Sequence, residues 1–199
     1  KKPYVGIEST VAIAGEKLVV GSGSGKVFIL NKYTGRLISE FDTGDDTDGS
    51  PVIDLADSSF YIGVEKDFSE NPGGLHKISL AGEPLWFYET GRKGIFSTAA
   101  IDSKRVIITG DDGFLYSLDK QSGELQWKTR LLDGSWSSPI LINGRILTAD
   151  YAGYLYGVDA NNGKILWKKK MANYIVASPV LWEGIIIVGA RDGFVYALK

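Results

Sequence analysis

The sequence predicts an all-β protein built from one repeated unit. Two stretches are nearly alike, "GDDGFLYSLDKQSGELQW" from Gly110 and "DYAGYLYGVDANNGKILW" from Asp150. A third, partial copy begins at Gly189. Each copy shows only short strands and turns, and no segment keeps an apolar period of about 3.6 residues over the length of a helix. A strand-and-turn unit that recurs in this way predicts several small sheets packed on one another.

The repeat length follows from glycine, tryptophan and hydroxyl positions. Gly113, Gly153 and Gly193 are evenly spaced, and Trp127 and Trp167 keep the same interval. Hydroxyl residues follow the same register, namely Thr10, Ser50, Thr98, Ser138 and Ser178. The interval from Ser50 to Thr98 is longer because it contains the Pro/Gly loop "VEKDFSENPGGL". Insertions of this kind are tolerated in surface loops. We therefore expect one domain of five units, the last one short: 7–46, 47–94, 95–134, 135–174 and 175–199.

The fourth unit illustrates the order of elements. "SPILI" predicts a first strand, and Asn143-Gly144 is a favoured type I′ hairpin pair that leads into "RILTA". Gly153 supplies the positive φ of the second turn before "YLYGVD". Asp159 and Gly163 close the third turn before "KILWKKK". Four-stranded sheets whose strands are apolar on both faces must be covered on both sides, and a β-propeller of four-stranded antiparallel blades satisfies this requirement.

The third turn and fourth strand resemble the tryptophan-docking repeat of PQQ-like β-propellers, Ala-x-Asp-x-x-Thr-Gly-x-x-x-Trp. Asp119, Gly123 and Trp127 match this signature, and unit four repeats the match at the equivalent positions. The second unit departs from it, with Ser79 in place of the aspartate. A tryptophan on the outermost strand can lie over the next sheet. The tryptophans expected to dock neighbouring blades are Trp86, Trp127 and Trp167.

Composition narrows the classes of partner and chemistry. A formal net charge of −2 gives no electrostatic reason to expect nucleic acid, and no apolar run is long enough for a membrane span. With no cysteine there are no disulfides or thiolate sites, and His76 is the single histidine. We interpret His76 as a half-buried strand residue. The lack of cysteine and the habit of the resembling family favour a periplasmic or extracellular location.

Two further motifs have structural interpretations. "GSGSGK" at 21–26 imitates a phosphate loop but aligns with the second hairpin of the other units, so we interpret it as a turn. The acidic stretch "DTGDDTDGS" at 42–50 joins units one and two and is interpreted as a solvated linker. An opportunistic cation site at Asp42–Asp48 stays open as the alternative.

Equivalent positions at the start of the innermost strand carry side chains of different kinds, two acidic and two aromatic. Glu8, Asp48, Phe96 and Trp136 occupy one place in four successive units. In a propeller this place faces one mouth of the axial funnel, so these four residues are a candidate recognition surface. Residues that merely fill or rim the channel are the competing interpretation.

The resemblance also bears on activity. The family contains quinoprotein dehydrogenases, the lipoprotein of the outer-membrane assembly machine, and sensor propellers. The dehydrogenases are typically eight-bladed, and many hold their quinone against a vicinal disulfide and bind calcium; this sequence has no cysteine and about five units. We therefore expect no enzyme activity and no cofactor, and a scaffold that binds another protein or an adjoining domain. The alternatives are a fragment of a PQQ-dependent dehydrogenase and a ligand-sensing propeller domain.

The last unit ends after its third strand, which leaves two ways to complete the fold. Lys1–Val5 aligns with the missing fourth strand and could close a five-bladed ring. The other possibility is that the chain is part of a longer propeller.

Overall fold

The computed structural model describes residues 6–91 and 93–199, and these residues form strands and turns without a helix. The described part of the chain therefore contains no helix able to cross a membrane. Its residues group into two compact units, one ending at Ala99 and the other beginning at Ala100. Lys1–Val5, the segment that could close a ring, lies outside the described residues.

The unit that ends at Ala99 contains two antiparallel meanders of four strands. The strands of the first sheet, in spatial and chain order, are β1 (Ala12–Ala14), β2 (Lys17–Ser22), β3 (Lys26–Asn31) and β4 (Leu37–Asp42). Those of the second are β5 (Val52–Asp54), β6 (Ser59–Val64), β7 (Gly73–Ser79) and β8 (Pro84–Gly91).

The unit that begins at Ala100 contains three further sheets in the same order. The third sheet comprises β9 (Ala100–Ile101), β10 (Arg105–Thr109), β11 (Phe114–Asp119) and β12 (Leu125–Arg130). The fourth comprises β13 (Ile140–Ile142), β14 (Arg145–Ala149), β15 (Tyr154–Asp159) and β16 (Ile165–Lys170). The fifth has three strands, β17 (Val180–Trp182), β18 (Ile185–Gly189) and β19 (Val195–Leu198). The predicted all-β meanders are confirmed.

The turns adopt the conformations that the glycine and aspartate pattern predicts. Asn143 and Gly144 have φ values of 50° and 73°, as a type I′ turn requires. In the third turn of the third sheet, the Asp119 carboxylate accepts hydrogen bonds from the backbone amides of Gln121 and Ser122, both at 2.9 Å. The "GSGSGK" stretch is a hairpin turn, because the Gly25 amide donates to the Ser22 carbonyl at 3.0 Å between β2 and β3.

Apolar side chains of successive sheets share common cores. Val19 and Ile29 of the first sheet pack with Phe60 and Ile78 of the second. In the other unit, the third and fourth sheets enclose one cluster, and the fourth and fifth enclose another that contains Leu155 and Val188. Each cluster is built from fully or almost fully buried side chains, so the sheets are packed face to face.

The repeated hydroxyls link one sheet to the next. The Thr10 amide donates to the Ser50 hydroxyl at 2.9 Å, and the Ser50 amide donates to the Thr98 hydroxyl at 3.0 Å. Within the other unit, the Ser138 amide donates to the Ser178 hydroxyl at 2.9 Å. The regular hydroxyl register therefore provides an acceptor for a backbone amide of the preceding repeat.

The three repeat tryptophans are half-buried on the outermost strands β8, β12 and β16. The Trp127 indole N–H donates to the Ala160 carbonyl at 3.1 Å, and a Cβ added to Gly163 would lie 2.5 Å from the Trp127 ring. Trp167 packs against the cluster shared by the fourth and fifth sheets. Within its own unit, the Trp86 ring centroid lies 5.7 Å from that of Tyr61. Docking of blades by these side chains stays a prediction, and mutation tests it.

Replacing Trp127 by alanine should lower the free energy of unfolding by about 3 kcal/mol, because the indole fills space over Gly163 and satisfies the buried Ala160 carbonyl. Trp182→Ala is the matched control, since that indole is 64% exposed and its loss should cost less than about 1 kcal/mol. Urea denaturation measures both values. Equal losses in the two variants would contradict the docking role of Trp127.

Candidate functional site

The four predicted recognition residues lie in the segments that precede the first strands. Glu8, Asp48, Phe96 and Trp136 each stand four residues before a strand, which begin at Ala12, Val52, Ala100 and Ile140. Their placement at the start of the innermost strand was therefore wrong by four residues. The physical reason is that backbone amides of these segments donate hydrogen bonds to hydroxyls of the next repeat, as the Thr10 amide does to Ser50. Hydrogen bonding to the neighbouring strand of the same sheet begins only after them.

In the unit that ends at Ala99, the segments around Glu8 and Asp48 converge. The Glu8 carboxyl lies near enough to Asp48 to raise the pKa of the Asp48 carboxyl. The Phe96 backbone passes beside the same segment, because a Cβ added to Gly49 would lie 3.4 Å from the Phe96 carbonyl oxygen. The structure thus places Glu8 near Asp48 and brings the Phe96 backbone close to Gly49, the residue that follows Asp48.

Asp46, Asp48 and Glu65 form a cluster of carboxylates at this place. One oxygen atom from each lies within 4.8 Å of the others. Glu65 is only 2% exposed, and it accepts a hydrogen bond from the Asp48 amide at 3.4 Å. Among the described residues, Asp48 Oδ1 is a buried atom without a hydrogen-bond partner.

The interpretation of residues 42–50 as a solvated linker was wrong. Asp45 is fully buried, and its carboxylate accepts hydrogen bonds from the Ser69 amide and the Ser69 hydroxyl, both at 2.8 Å. Asn71 also donates to the Gly44 carbonyl at 3.4 Å. The inserted loop between β6 and β7 therefore packs on the linker and removes it from water, which the density of acidic residues alone does not indicate.

Burial and mutual repulsion change the acidity of these groups. Burial, the Glu8 carboxyl and the Asp46 charge raise the pKa of Asp48 to about 7. Burial, followed by the charges of Asp48 and Asp46, raises the pKa of Glu65 to about 10. The pKa of Asp46 is raised as well, mainly by burial. Asp45 behaves differently: burial acts to raise its pKa, but hydrogen bonds from Asp46 and Ser69 hold it below its ordinary value.

Two chemical states satisfy such a cluster. The carboxyls can share protons, as the raised pKa values of Asp48 and Glu65 indicate for neutral pH. Alternatively, their oxygen atoms could hold a divalent cation, for which carboxylates are suitable ligands. Both states remove charge repulsion from a buried place.

In the unit that begins at Ala100, Trp136 belongs to a column of aromatic rings. Its ring centroid lies 5.8 Å from that of Tyr151 in an edge-on arrangement, and Tyr151 is stacked on Tyr174 at 5.0 Å. The Arg191 guanidinium lies 5.5 Å from the Tyr174 ring centroid. Trp136 is 40% exposed, so part of this column faces solvent.

His76 lies where the sequence predicts, half-buried on β7. Its ring centroid is 4.4 Å from that of Phe87 and 5.2 Å from that of Phe41. Burial lowers the pKa of His76 to about 4, so the imidazole is neutral at physiological pH. This aromatic surrounding is a packing environment.

Sequence reasoning missed Glu65, Tyr151 and Tyr174. Glu65 has the place that Tyr151 and Arg191 have in later repeats, since each of the three amides donates to the carbonyl of an equivalent residue. The insertion that follows Glu65 shifts the sequence register and hides this equivalence. Tyr151 aligns with Asp111 and Arg191 of the neighbouring repeats, and Tyr174 aligns with Gly134. A comparison of side chains at every equivalent loop position would have indicated these two tyrosines.

Known proteins resemble this chain in sequence and in fold. The profile of a family described as outer membrane protein assembly factor BamB matches residues 73–199. The crystal structure of BamB from Moraxella catarrhalis superposes with a TM-score of 0.79 at 18% identity, over 96% of this chain and 57% of that one. The WD40 β-propeller domain of Doa1 gives a TM-score of 0.74 at 15% identity, over 94% of this chain and 62% of that one. A comparison with curated proteins finds no match.

These likenesses confirm the predicted β-propeller fold and the PQQ-like repeat. The chain spans 57% and 62% of the lengths of the two solved structures.

The carboxylate cluster predicts a stability that depends on pH. Unfolded, Asp48 and Glu65 titrate near 3.8 and 4.5, whereas the folded protein retains their protons up to about 7 and about 10. The folded state thus binds more protons, and its free energy of unfolding should fall by up to about 1.4 kcal/mol per pH unit for each retained proton as pH rises through this window.

Urea denaturation between pH 5 and pH 8, with a chelator present, measures this slope. Glu65→Gln should flatten it, because the amide cannot ionise, whereas Glu124→Gln, at an exposed position just before β12, should leave it unchanged. A slope that Glu65→Gln does not reduce would contradict proton retention at Glu65.

Proposed function

This chain belongs to the family of the outer membrane protein assembly factor BamB, and we propose that it is a non-catalytic β-propeller scaffold that binds another protein during assembly. The observation that carries this proposal is the variation of side chains on a repeating frame. Within each compact unit, hydroxyl bonds and shared cores keep the segments before the first strands in register. These segments nevertheless present different side chains, which are Glu8, Asp48, Phe96 and Trp136. Repeat proteins usually bind through such variable positions.

The proposed site of action lies outside the cytoplasm. The family description names outer membrane protein assembly, and a chain without cysteine has no thiol to oxidise in such a compartment. We propose that the partner is a protein of an assembly machinery at the outer membrane, or a domain attached to this one.

The burial of the acidic groups supports a scaffold over an enzyme. A general acid or base must come within hydrogen-bond reach of its substrate. Glu65 and Asp46 are 2% and 7% exposed, and burial keeps the His76 imidazole neutral beside aromatic rings. A dehydrogenase of the resembling family would additionally need its quinone platform, for which this chain has no cysteine pair.

Pyrroloquinoline quinone with calcium should therefore neither bind this chain saturably at micromolar concentration nor support oxidation of alcohols or sugars. Titration followed by optical absorbance of the quinone measures binding, and a dye-linked assay measures turnover. Saturable binding together with turnover would overturn the non-catalytic proposal.

Photo-crosslinking in the cell that makes the protein tests the scaffold role. We expect benzoyl-phenylalanine at position 136, or at position 8, to form a discrete covalent adduct with another protein, because these positions face solvent. Position 166 is the control, since Leu166 on β16 is 45% exposed and lies outside the variable segments. Equal adducts at positions 8, 136 and 166, or no adduct at positions 8 and 136, would contradict binding through these variable segments.

A further inference from the structure

The solvent-facing surface around Trp136 has the make-up of a protein-binding hot spot. We call Trp136, Tyr151 and Tyr174 the aromatic rim. Trp136 is 40% exposed, and Leu132, four residues earlier, is 52% exposed. Tryptophan, tyrosine and arginine dominate the energetics of protein interfaces, particularly where apolar side chains surround them.

The rim is held in place before any partner binds. Tyr151 is stacked on Tyr174 with an interplanar angle of 16°, and Trp136 meets Tyr151 at 81°. The loop of Arg191 is attached to the same column, because the Arg191 amide donates to the Tyr174 carbonyl at 3.0 Å. A side chain whose rotamer is already restricted loses little entropy when it is covered, which favours binding.

Negative charge lies at the Trp136 end of the rim. Asp133 is exposed and precedes Trp136 by three residues. A Cβ added to Gly134 would lie 2.8 Å from Asp111 Oδ1 and 3.1 Å from the Tyr151 ring, and the Gly134 amide donates to the Asp133 carboxylate at 2.8 Å. Both carboxylates therefore lie around the residue that packs on Tyr151, the ring that contacts Trp136. The opposite end of the column carries the Arg191 guanidinium over Tyr174.

Arg130, at the end of β12, shows how a guanidinium group of this chain contacts an aromatic ring. The Arg130 guanidinium donates to the Asp112 carbonyl at 3.0 Å and lies 4.8 Å from the Phe114 ring centroid. Guanidinium groups of this chain thus pair with aromatic faces at Phe114 and Tyr174. An aromatic face beside carboxylates attracts a cation more strongly than either feature alone.

We propose that the aromatic rim binds an extended segment of another polypeptide, which places an arginine or lysine side chain against Trp136 beside Asp133. This inference rests on the proposed scaffold function and specifies the chemistry of its partner. The exposed indole supplies contact area and the carboxylates supply the preference for a basic residue.

Two peptides that differ only in charge test the proposal. The probes are acetyl-Leu-Arg-Leu-Arg-Leu-amide and its glutamate counterpart, acetyl-Leu-Glu-Leu-Glu-Leu-amide. Indole N–H signals of the five tryptophans, recorded by nuclear magnetic resonance on the whole chain, report binding at Trp136 separately from the other four. We expect a saturable shift of the Trp136 signal with the arginine peptide and an affinity at least fivefold weaker with the glutamate peptide.

Variants then separate the contributions. Trp136→Ala and Asp133→Asn should each weaken the affinity for the arginine peptide by fivefold or more. Because Trp136→Ala removes the reporting indole, calorimetry measures its affinity, and the Trp127 and Trp167 signals verify its fold. Leu166→Ala should leave its affinity unchanged, since Leu166 lies on β16 outside the rim. Because Asp133 is exposed, Asp133→Asn keeps the fold, and the unchanged signals of Trp127 and Trp167 verify this.

Equal affinity for the two peptides, or no shift at Trp136, would overturn the proposal. Cross-links from positions 8 or 136 to another protein would persist in that case if the scaffold function holds. Charge-selective peptide binding without any cross-linked protein would instead contradict the scaffold function while leaving the rim's chemistry intact.

Discussion

The packing of one sheet on another is the constraint on which the rest of the structure depends. The second strand of each of the first four sheets is largely buried, as the patterns of β6, β10 and β14 show. A strand that is apolar on both faces is unstable in an isolated meander and needs a neighbour on each side. The shared clusters, such as the one that joins Val19 and Phe60, meet this requirement within each compact unit.

Face-to-face packing alone leaves the sheets free to slide, and directional contacts restrict that freedom. A hydroxyl of one repeat accepts an amide of the preceding repeat, as Ser178 does for Ser138, and the Trp127 indole donates to a carbonyl of the following sheet. Both contacts join equivalent places in adjacent repeats. These contacts fix the register of neighbouring repeats and leave the loop lengths free, because the Ser50 amide donates to Thr98 across the longer second repeat as the Thr10 amide donates to Ser50.

Residues with this structural role were predictable from the sequence, whereas residues that meet only in space were not. Asp119, Gly123 and Asn143-Gly144 act through their own backbone, so local spacing was sufficient to predict their turns. Asp45 and Glu65 have their partners on a different hairpin, and the insertion in the second unit hides the correspondence. Burial of a carboxylate is a property of the packed loops, and the linker at 42–50 therefore looked solvated in the sequence.

The two places where the repeat carries unusual chemistry differ in what they contribute to stability. The carboxylates of Asp46, Asp48 and Glu65 are removed from water and repel one another, so their ionised state opposes folding. The aromatic rim keeps Trp136 partly exposed, and so leaves apolar surface in contact with water. Folded proteins depart from the rules of stable packing mainly at functional sites. Trp136 is 40% exposed whereas Glu65 is almost fully enclosed, so a partner protein can reach Trp136 without disturbing the fold.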